Sequence, residues 1–171
     1  MGYSKIIENI FVKDINNFNY IPSLEYIKKR KWYFRMYIEY YDLIEASFIF
    51  QAIKNIDNKC ILFYINEDGA KISQIKENIK IDDVAYFHSN INLPNMNIYD
   101  SGLTNPNFDY LFISDAENKF FMLFGKKSFI KEAIPVDYET YKLYYKSFYG
   151  NWGSPTIDDF IIRLWNLYPI P

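Results

Sequence analysis

The strongest constraint on the fold is a change of apolar period between Trp32 and Ile56. Trp32, Phe34, Met36, Ile38 and Tyr40 alternate with Tyr33, Arg35, Tyr37, Glu39 and Tyr41. Such alternation in aromatic and β-branched residues marks a strand with a buried face. Past Tyr41 the period lengthens. Asp42, with Glu45 three residues on, has the form of a capping box. Leu43, Ala46, Ile49, Phe50, Ile53 and Ile56 then follow at helical spacing. Phe48 and Ala52 widen that stripe, so this helix is expected to be deeply packed. A strand and a helix in direct succession, each with an apolar face to bury, call for layers of both kinds.

The rest of the chain continues in the same manner. Ile6 to Val12 suits either an edge strand or a short helix. Ser23 is placed to cap a brief helix over Leu24 to Arg30. Asp57-Asn58 breaks the long helix, Cys60 to Ile65 reads as a short apolar strand, and Asn66-Glu-Asp-Gly69 as a turn with glycine where φ is positive. Ile72, Ile75 and Ile79 are spaced for a second, more polar helix, and Val84 to Phe87 suits a strand. Residues 89–107 hold six Asn and two Pro and read mostly as surface loop, with room for a strand at Met96 to Tyr99.

Phe108 to Ser114 and Lys119 to Phe124 flank Asp115-Ala-Glu-Asn118, a connection of hairpin length. Gly125 ends that unit, and Ser128 is placed to cap a short helix through Ala133. Asp137 can cap a helix bearing Tyr138, Tyr141, Tyr144, Tyr145 and Phe148, which Gly150 stops. Trp152, between glycines, either plugs the core or projects as a binding knob. Ser154-Pro155 opens a last amphipathic helix carrying Ile157, Phe160, Ile161, Leu164, Trp165 and Tyr168, ended by Pro169. The expected fold is one α+β domain over residues 1–171, with a mixed or largely antiparallel sheet packed by several helices. Strand order does not follow from these patterns.

Composition narrows the functional classes. Half of the 171 residues are hydrophobic and 23% are charged, a globular balance, and the net charge of −2 supplies no general cationic field for nucleic acid. One cysteine, Cys60, forms no internal disulfide. The N-terminal residues lack the apolar stretch of a secretion signal and no long uncharged apolar run occurs, so a cytoplasmic protein without a membrane segment is expected. The 17 Tyr and 15 Phe suit a recognition surface. The competing cause is the codon bias of an AT-rich genome, which 26 Ile and 17 Asn against 3 Val and 6 Ala also reflect.

Known reactive constellations find little to build on. His88 is the single histidine, so Ser-His-Asp and Cys-His mechanisms both depend on it, and no activating motif surrounds any serine or Cys60. One His and one Cys do not make the usual zinc sets. No phosphate-cradling glycine loop is present among 6 Gly. Asp82-Asp83 and Asp158-Asp159 are paired carboxylates, but sequence neighbours do not face one another, and the second pair sits where a helix N-terminus favours negative charge. No enzymatic activity, metal or cofactor is expected.

Two charge features remain. Lys28-Lys-Arg-Lys31 and Arg35, interleaved with Trp32, Tyr33 and Phe34, have the makings of a nucleic-acid grip; the alternative is the exposed charged end of a short helix. Residues 81–125 hold one base, Lys119, against six acids: Asp82, Asp83, Asp100, Asp109, Asp115 and Glu117. With Tyr86, Tyr99 and Tyr110 among them, these acids form a candidate face for a cationic protein partner. The alternative is a scatter of solubilising charge.

The stretch Phe108-Asp-Tyr-Leu-Phe-Ile-Ser-Asp-Ala-Glu-Asn-Lys-Phe-Phe-Met-Leu-Phe-Gly125, followed by Ser128-Phe-Ile-Lys-Glu-Ala-Ile134, gives a strand–turn–strand–Gly–helix unit in a small Tyr/Phe/Ile/Asn-rich chain. In that style it resembles the immunity proteins of bacterial polymorphic and contact-dependent growth inhibition toxin systems. The resemblance implies a cytoplasmic antidote that covers the active site or substrate surface of a cognate toxin, often a nuclease. No residue roles transfer with it.

Overall fold

The computed structural model describes residues 2–13, 20–38, 43–86, 100–115, 120–149 and 155–171. Asp42, His88, Tyr99, Glu117, Gly150, Trp152, Ser154 and the expected strand at 96–99 lie outside the described residues. Within them the chain forms α1 (Tyr3–Ile10), β1 (Phe11–Lys13), β2 (Tyr20–Pro22), α2 (Leu24–Arg30), β3 (Tyr33–Ile38), α3 (Leu43–Lys54), β4 (Cys60–Asn66) and β5 (Gly69–Lys76). There follow α4 (Ile81–Ala85), β6 (Asp100–Thr104), β7 (Tyr110–Asp115), β8 (Phe120–Gly125), α5 (Lys127–Ala133), α6 (Tyr138–Tyr149) and α7 (Pro155–Leu167). Among the described residues no helix is long and apolar enough to cross a membrane.

Six strands pair in the order β3-β8-β7-β6-β4-β5, every neighbouring pair antiparallel. The short β1 and β2 pair separately. Residues opposite one another in an antiparallel ladder share a face, so the registers define two rows across the sheet. Arg35, Leu123, Phe112, Leu103 and Leu62 run along one face. Met36, Met122, Ile113, Gly102 and Phe63 run along the other.

Helices cover both faces. On the first, the Tyr110 ring stacks on Phe129 of α5 at 5.3 Å, the Tyr37 hydroxyl donates to the Ala133 carbonyl at 3.2 Å, and α3 packs between α4 and α5. On the second, Tyr168 beyond α7 meets Phe34 and Phe124 at 5.2 and 4.9 Å, and Phe11 meets Phe63 edge-on at 5.9 Å. This double cover explains why β4 is buried from Cys60 to Ile65 rather than at alternate positions. At the β3 edge, the Phe34 N–H donates to the Pro169 carbonyl at 2.7 Å, which closes part of an otherwise unpaired ladder.

Local chemistry accounts for the elements the patterns identify. Ser23 Oγ accepts the Tyr26 N–H at 3.5 Å, and Asp137 caps α6 by accepting the Thr140 N–H at 2.9 Å. Gly69, the first residue of β5, has φ +102° where the chain leaves the turn from β4, a conformation that side chains resist. Ile6 to Val12 is resolved into the end of α1 and the start of β1.

Four expectations are corrected. Ile72 and Ile75 belong to an edge strand, β5, because the Gly69 turn folds the chain directly back onto β4; with one ladder partner, β5 shows only weak alternation. Val84 lies in α4, whose first turn is held by the Asp83 carboxylate accepting the Lys80 N–H at 2.8 Å. Part of the expected 89–107 loop is the central strand β6. Its polar sequence is tolerated because the Phe63 ring fills the space over Gly102 and Thr104 Oγ1 donates to the Tyr110 carbonyl at 2.6 Å. Ser128 sits inside α5, with Lys126 at the capping position.

Candidate functional site

The sheet register divides the acidic candidates between its two ends. Asp100 opens β6 opposite Ile65, and Asp115 closes β7 opposite Phe120, so both lie at one end. Asp109 precedes β7 and lies at the other, six residues and therefore roughly 20 Å from Asp115. Asp82 and Asp83 belong with Asp109, because Lys76 at the last position of β5 pairs with Asp83. A stretch that reads as one acidic block is therefore two separate groups in space.

Several of these side chains hold the fold together. Asp83 is buried and tied both to Lys76 and to the Lys80 N–H. Asp109 Oδ2 accepts from Asn105 Nδ2 at 2.9 Å, the Asp109 N–H donates to Asn105 Oδ1 at 2.8 Å, and Arg30 stands 3.9 Å away. Asp100 Oδ2 accepts the Tyr20 N–H at 2.8 Å, joining the small β1–β2 sheet to the large one. Tyr110 is corrected outright as a surface anchor. It is wholly buried, and burial lifts its hydroxyl far above the ordinary tyrosine range, with Cys60 next in effect. Asp82 and Tyr86 are exposed, on and just beyond α4.

The basic cluster is dismantled in a similar way. Arg30 Nη2 donates to the Asn107 carbonyl at 3.1 Å and to that of Phe108, and its guanidinium lies 5.1 Å from the Trp32 ring. It thereby clamps a turn in which Phe108 takes the left-handed φ of 54°, a strained conformation for a bulky side chain. Of the three rings that were to stack on bases, Trp32 and Phe34 are buried and Tyr33 is half-buried. Lys28, Lys29 and Lys31 remain exposed at the C-terminal end of α2, where the helix dipole favours cations.

Two clefts flank α5. One, of about 320 Å³, lies against α3 and is lined by Asn55, Asp109, Lys126, Ser128 and Glu132 among others; the Asn55 amide spans it to donate to Glu132. The other, of about 430 Å³, lies between β3, the end of α5 and the start of α6, and includes Arg35 and Lys131. Arg35 is only 6% exposed. Its Nη2 donates to the Val136 carbonyl at 3.0 Å, and the guanidinium faces the Tyr138 ring at 5.2 Å. Burial pulls its pKa below the ordinary arginine value. Alternation on β3 marks Arg35 as outward-facing, and no sequence signal reveals the helices above it.

The outer layer carries another feature that the periodicity misses. Phe48, expected in the buried stripe of α3, is 41% exposed, and Ile44 one turn earlier is 64% exposed. The buried stripe is narrower: Ala46, Ile49, Ala52 and Ile53. On and next to α4, which packs against α3, Ile81 and Tyr86 are also exposed. Among the described residues no three His, Cys, Asp or Glu side chains converge as metal ligands. Comparison with known proteins finds no matching family model, no matching curated protein and no matching solved structure.

Proposed function

We propose that this chain is a binding protein that acts by covering a surface of a second protein, as an immunity protein covers a cationic toxin. The observation that carries this reading is the outer face of α3 and α4. Ile44, Phe48, Ile81 and Tyr86 are exposed there, outside the buried cluster that includes Ile49, Ala52, Ile53 and Val84. Large apolar and aromatic side chains on adjacent elements are what a protein interface needs at its centre. Asp82 beside them adds negative charge, which steers a basic partner and sets on-rate more than affinity. Neutralisation then needs only steric occlusion of the toxin's working surface.

The test begins with affinity capture from the native host and continues with the purified captured protein. A stoichiometric basic toxin, inhibited at equal molar ratio by the wild-type chain, is expected. Phe48→Asp and Tyr86→Ala each weaken binding more than about tenfold, the scale of an interface hot spot, whereas Leu143→Asp, at an exposed position of α6, does not. Recovery of nucleic acid alone, or unchanged affinity for Phe48→Asp, refutes the assignment.

A further inference from the structure

Arg35 is a buried charge that the fold balances only in part, through the nearby Asp137 carboxylate and the Tyr138 ring. β3 sets it at the end of the row Leu123, Phe112, Leu103 and Leu62, so its guanidinium rests on an apolar sheet face beneath α5 and α6. A buried cation is costly unless it is paired and its donors are satisfied. Among the described residues Arg35 forms no ion pair, and its Nε and Nη1 donors have no acceptor. The carboxylate in the same cleft, Asp137, is occupied at the start of α6, where it accepts from the Thr140 N–H at 2.9 Å and from its hydroxyl at 2.5 Å. Arg30, the other arginine with a buried Nε, differs: it has two carbonyl acceptors and Asp109 close by.

The cleft over Arg35 holds about 430 Å³, within the usual range for small-molecule sites. Its walls separate by chemistry: Ile134, Pro135, Val136 and Pro171 are apolar, Arg35 at the base and Lys131 at the rim are cationic, and Asp137 and Tyr138 complete the lining, the carboxylate being held by Thr140. From this arrangement we infer that the cleft binds a small organic acid, its carboxylate facing Arg35 and Lys131 and its apolar body lying against the proline-rich wall. The bound carboxylate supplies a direct counter-charge to the guanidinium, which has no ion pair among the described residues. This site lies on a different part of the molecule from the α3–α4 surface and needs no protein partner.

The experiment is an NMR titration of the arginine Nε–Hε signals of the whole chain at constant ionic strength. Benzoate serves as probe, with benzyl alcohol and inorganic phosphate as comparisons. Benzoate is expected to shift the Arg35 signal saturably, benzyl alcohol to leave it in place, and phosphate to require higher concentrations. Lys131→Gln, an exposed change that spares the core, weakens benzoate binding roughly two- to fivefold, the range of an exposed ion pair. Arg35→Lys removes saturation if it folds. An Arg35 signal that stays fixed, or drifts linearly with every anion, overturns the site. Tighter saturation by phosphate than by benzoate overturns the organic-acid assignment.

Discussion

Replacing Gly102 by alanine tests the packing of the sheet at its most exacting point. Gly102 lies opposite Phe63 in the β4–β6 ladder, and the Phe63 ring covers it. A Cβ at this position would stand 2.1 Å from Phe63 Cζ, where ordinary contact begins near 3.4 Å, so the ring must retreat by about 1.3 Å. It has little room, being 1% exposed and met edge-on by Phe11 at 5.9 Å. Overpacking of this kind costs about 1–3 kcal/mol, and the enclosure of the ring places Gly102→Ala at about 2–3 kcal/mol. For a domain of this length that corresponds to a fall in Tm of roughly 5–10 °C. Urea and thermal unfolding of Gly102→Ala, Phe63→Leu and the double variant form a cycle. With leucine at 63 the added methyl costs at least about 1.5 kcal/mol less, because the obstructing ring is gone. A cost under about 0.5 kcal/mol, or equal costs in the two backgrounds, would refute the reasoning.

Other perturbations probe the polar framework. Lys76→Ala strands the buried Asp83 carboxylate and lowers the unfolding free energy by about 3 kcal/mol in urea titrations; a loss under about 1 kcal/mol would show that the pair is dispensable. Cys60 is pushed up to about 12, chiefly by burial and then by Asp83. Unfolding exposes a thiol that ionises near its ordinary 9.0, so the unfolded state sheds a proton that the folded state keeps. Stability contributed by this group is complete below pH 9.0 and declines as pH rises towards about 12. Tyr110 acts in the same sense above its ordinary 10.0. Cys60→Ala accordingly flattens the alkaline limb of the stability profile, and an unchanged slope would contradict this. Lys31 ends α2 in the left-handed conformation, with φ of 53°. Lys31→Gly therefore raises the unfolding free energy by about 0.5–1 kcal/mol, a gain that a small negative shift in urea midpoint would disprove.

The elements that were legible share a property: their signal is local. Ser23 and Asp137 announce helix starts through their own hydrogen bonds, Gly69 announces a reversal through its backbone, and the β7–β8 hairpin follows from two apolar runs around a short connection. The illegible elements depend on partners distant in sequence. β6 carries one large apolar residue, Leu103, and becomes a central strand because Phe63, some forty positions earlier, supplies the bulk that Gly102 lacks. The isoleucines of β5 fit a helical spacing by accident, since an edge strand with one neighbour leaves its faces only half distinguished. On β3 the alternation of Phe34 and Met36 with Arg35 and Tyr37 suggests one wet face, yet all four are buried, because helices cover the sheet on both sides.

The same distinction governs the candidate sites. Charge summed along residues 81–125 assumes that neighbours in sequence remain neighbours in space, and an antiparallel sheet breaks that assumption at every strand. Each crossing carries the chain to the opposite end, so Asp109 and Asp115 part company, while Asp83 and Asp109 are held locally, by Lys76 and Asn105. An acid consumed by an internal partner contributes little field to an approaching protein. Near the α3–α4 surface the exposed acid is Asp82, on α4. Affinity for a partner must then come from buried contact at Ile44, Phe48, Ile81 and Tyr86, and it follows that salt should alter binding at that surface far less than removal of the Phe48 ring. Around Arg35 the balance is reversed: the apolar wall contributes contact, while the guanidinium, without an ion pair among the described residues, makes charge the deciding requirement for whatever enters the cleft.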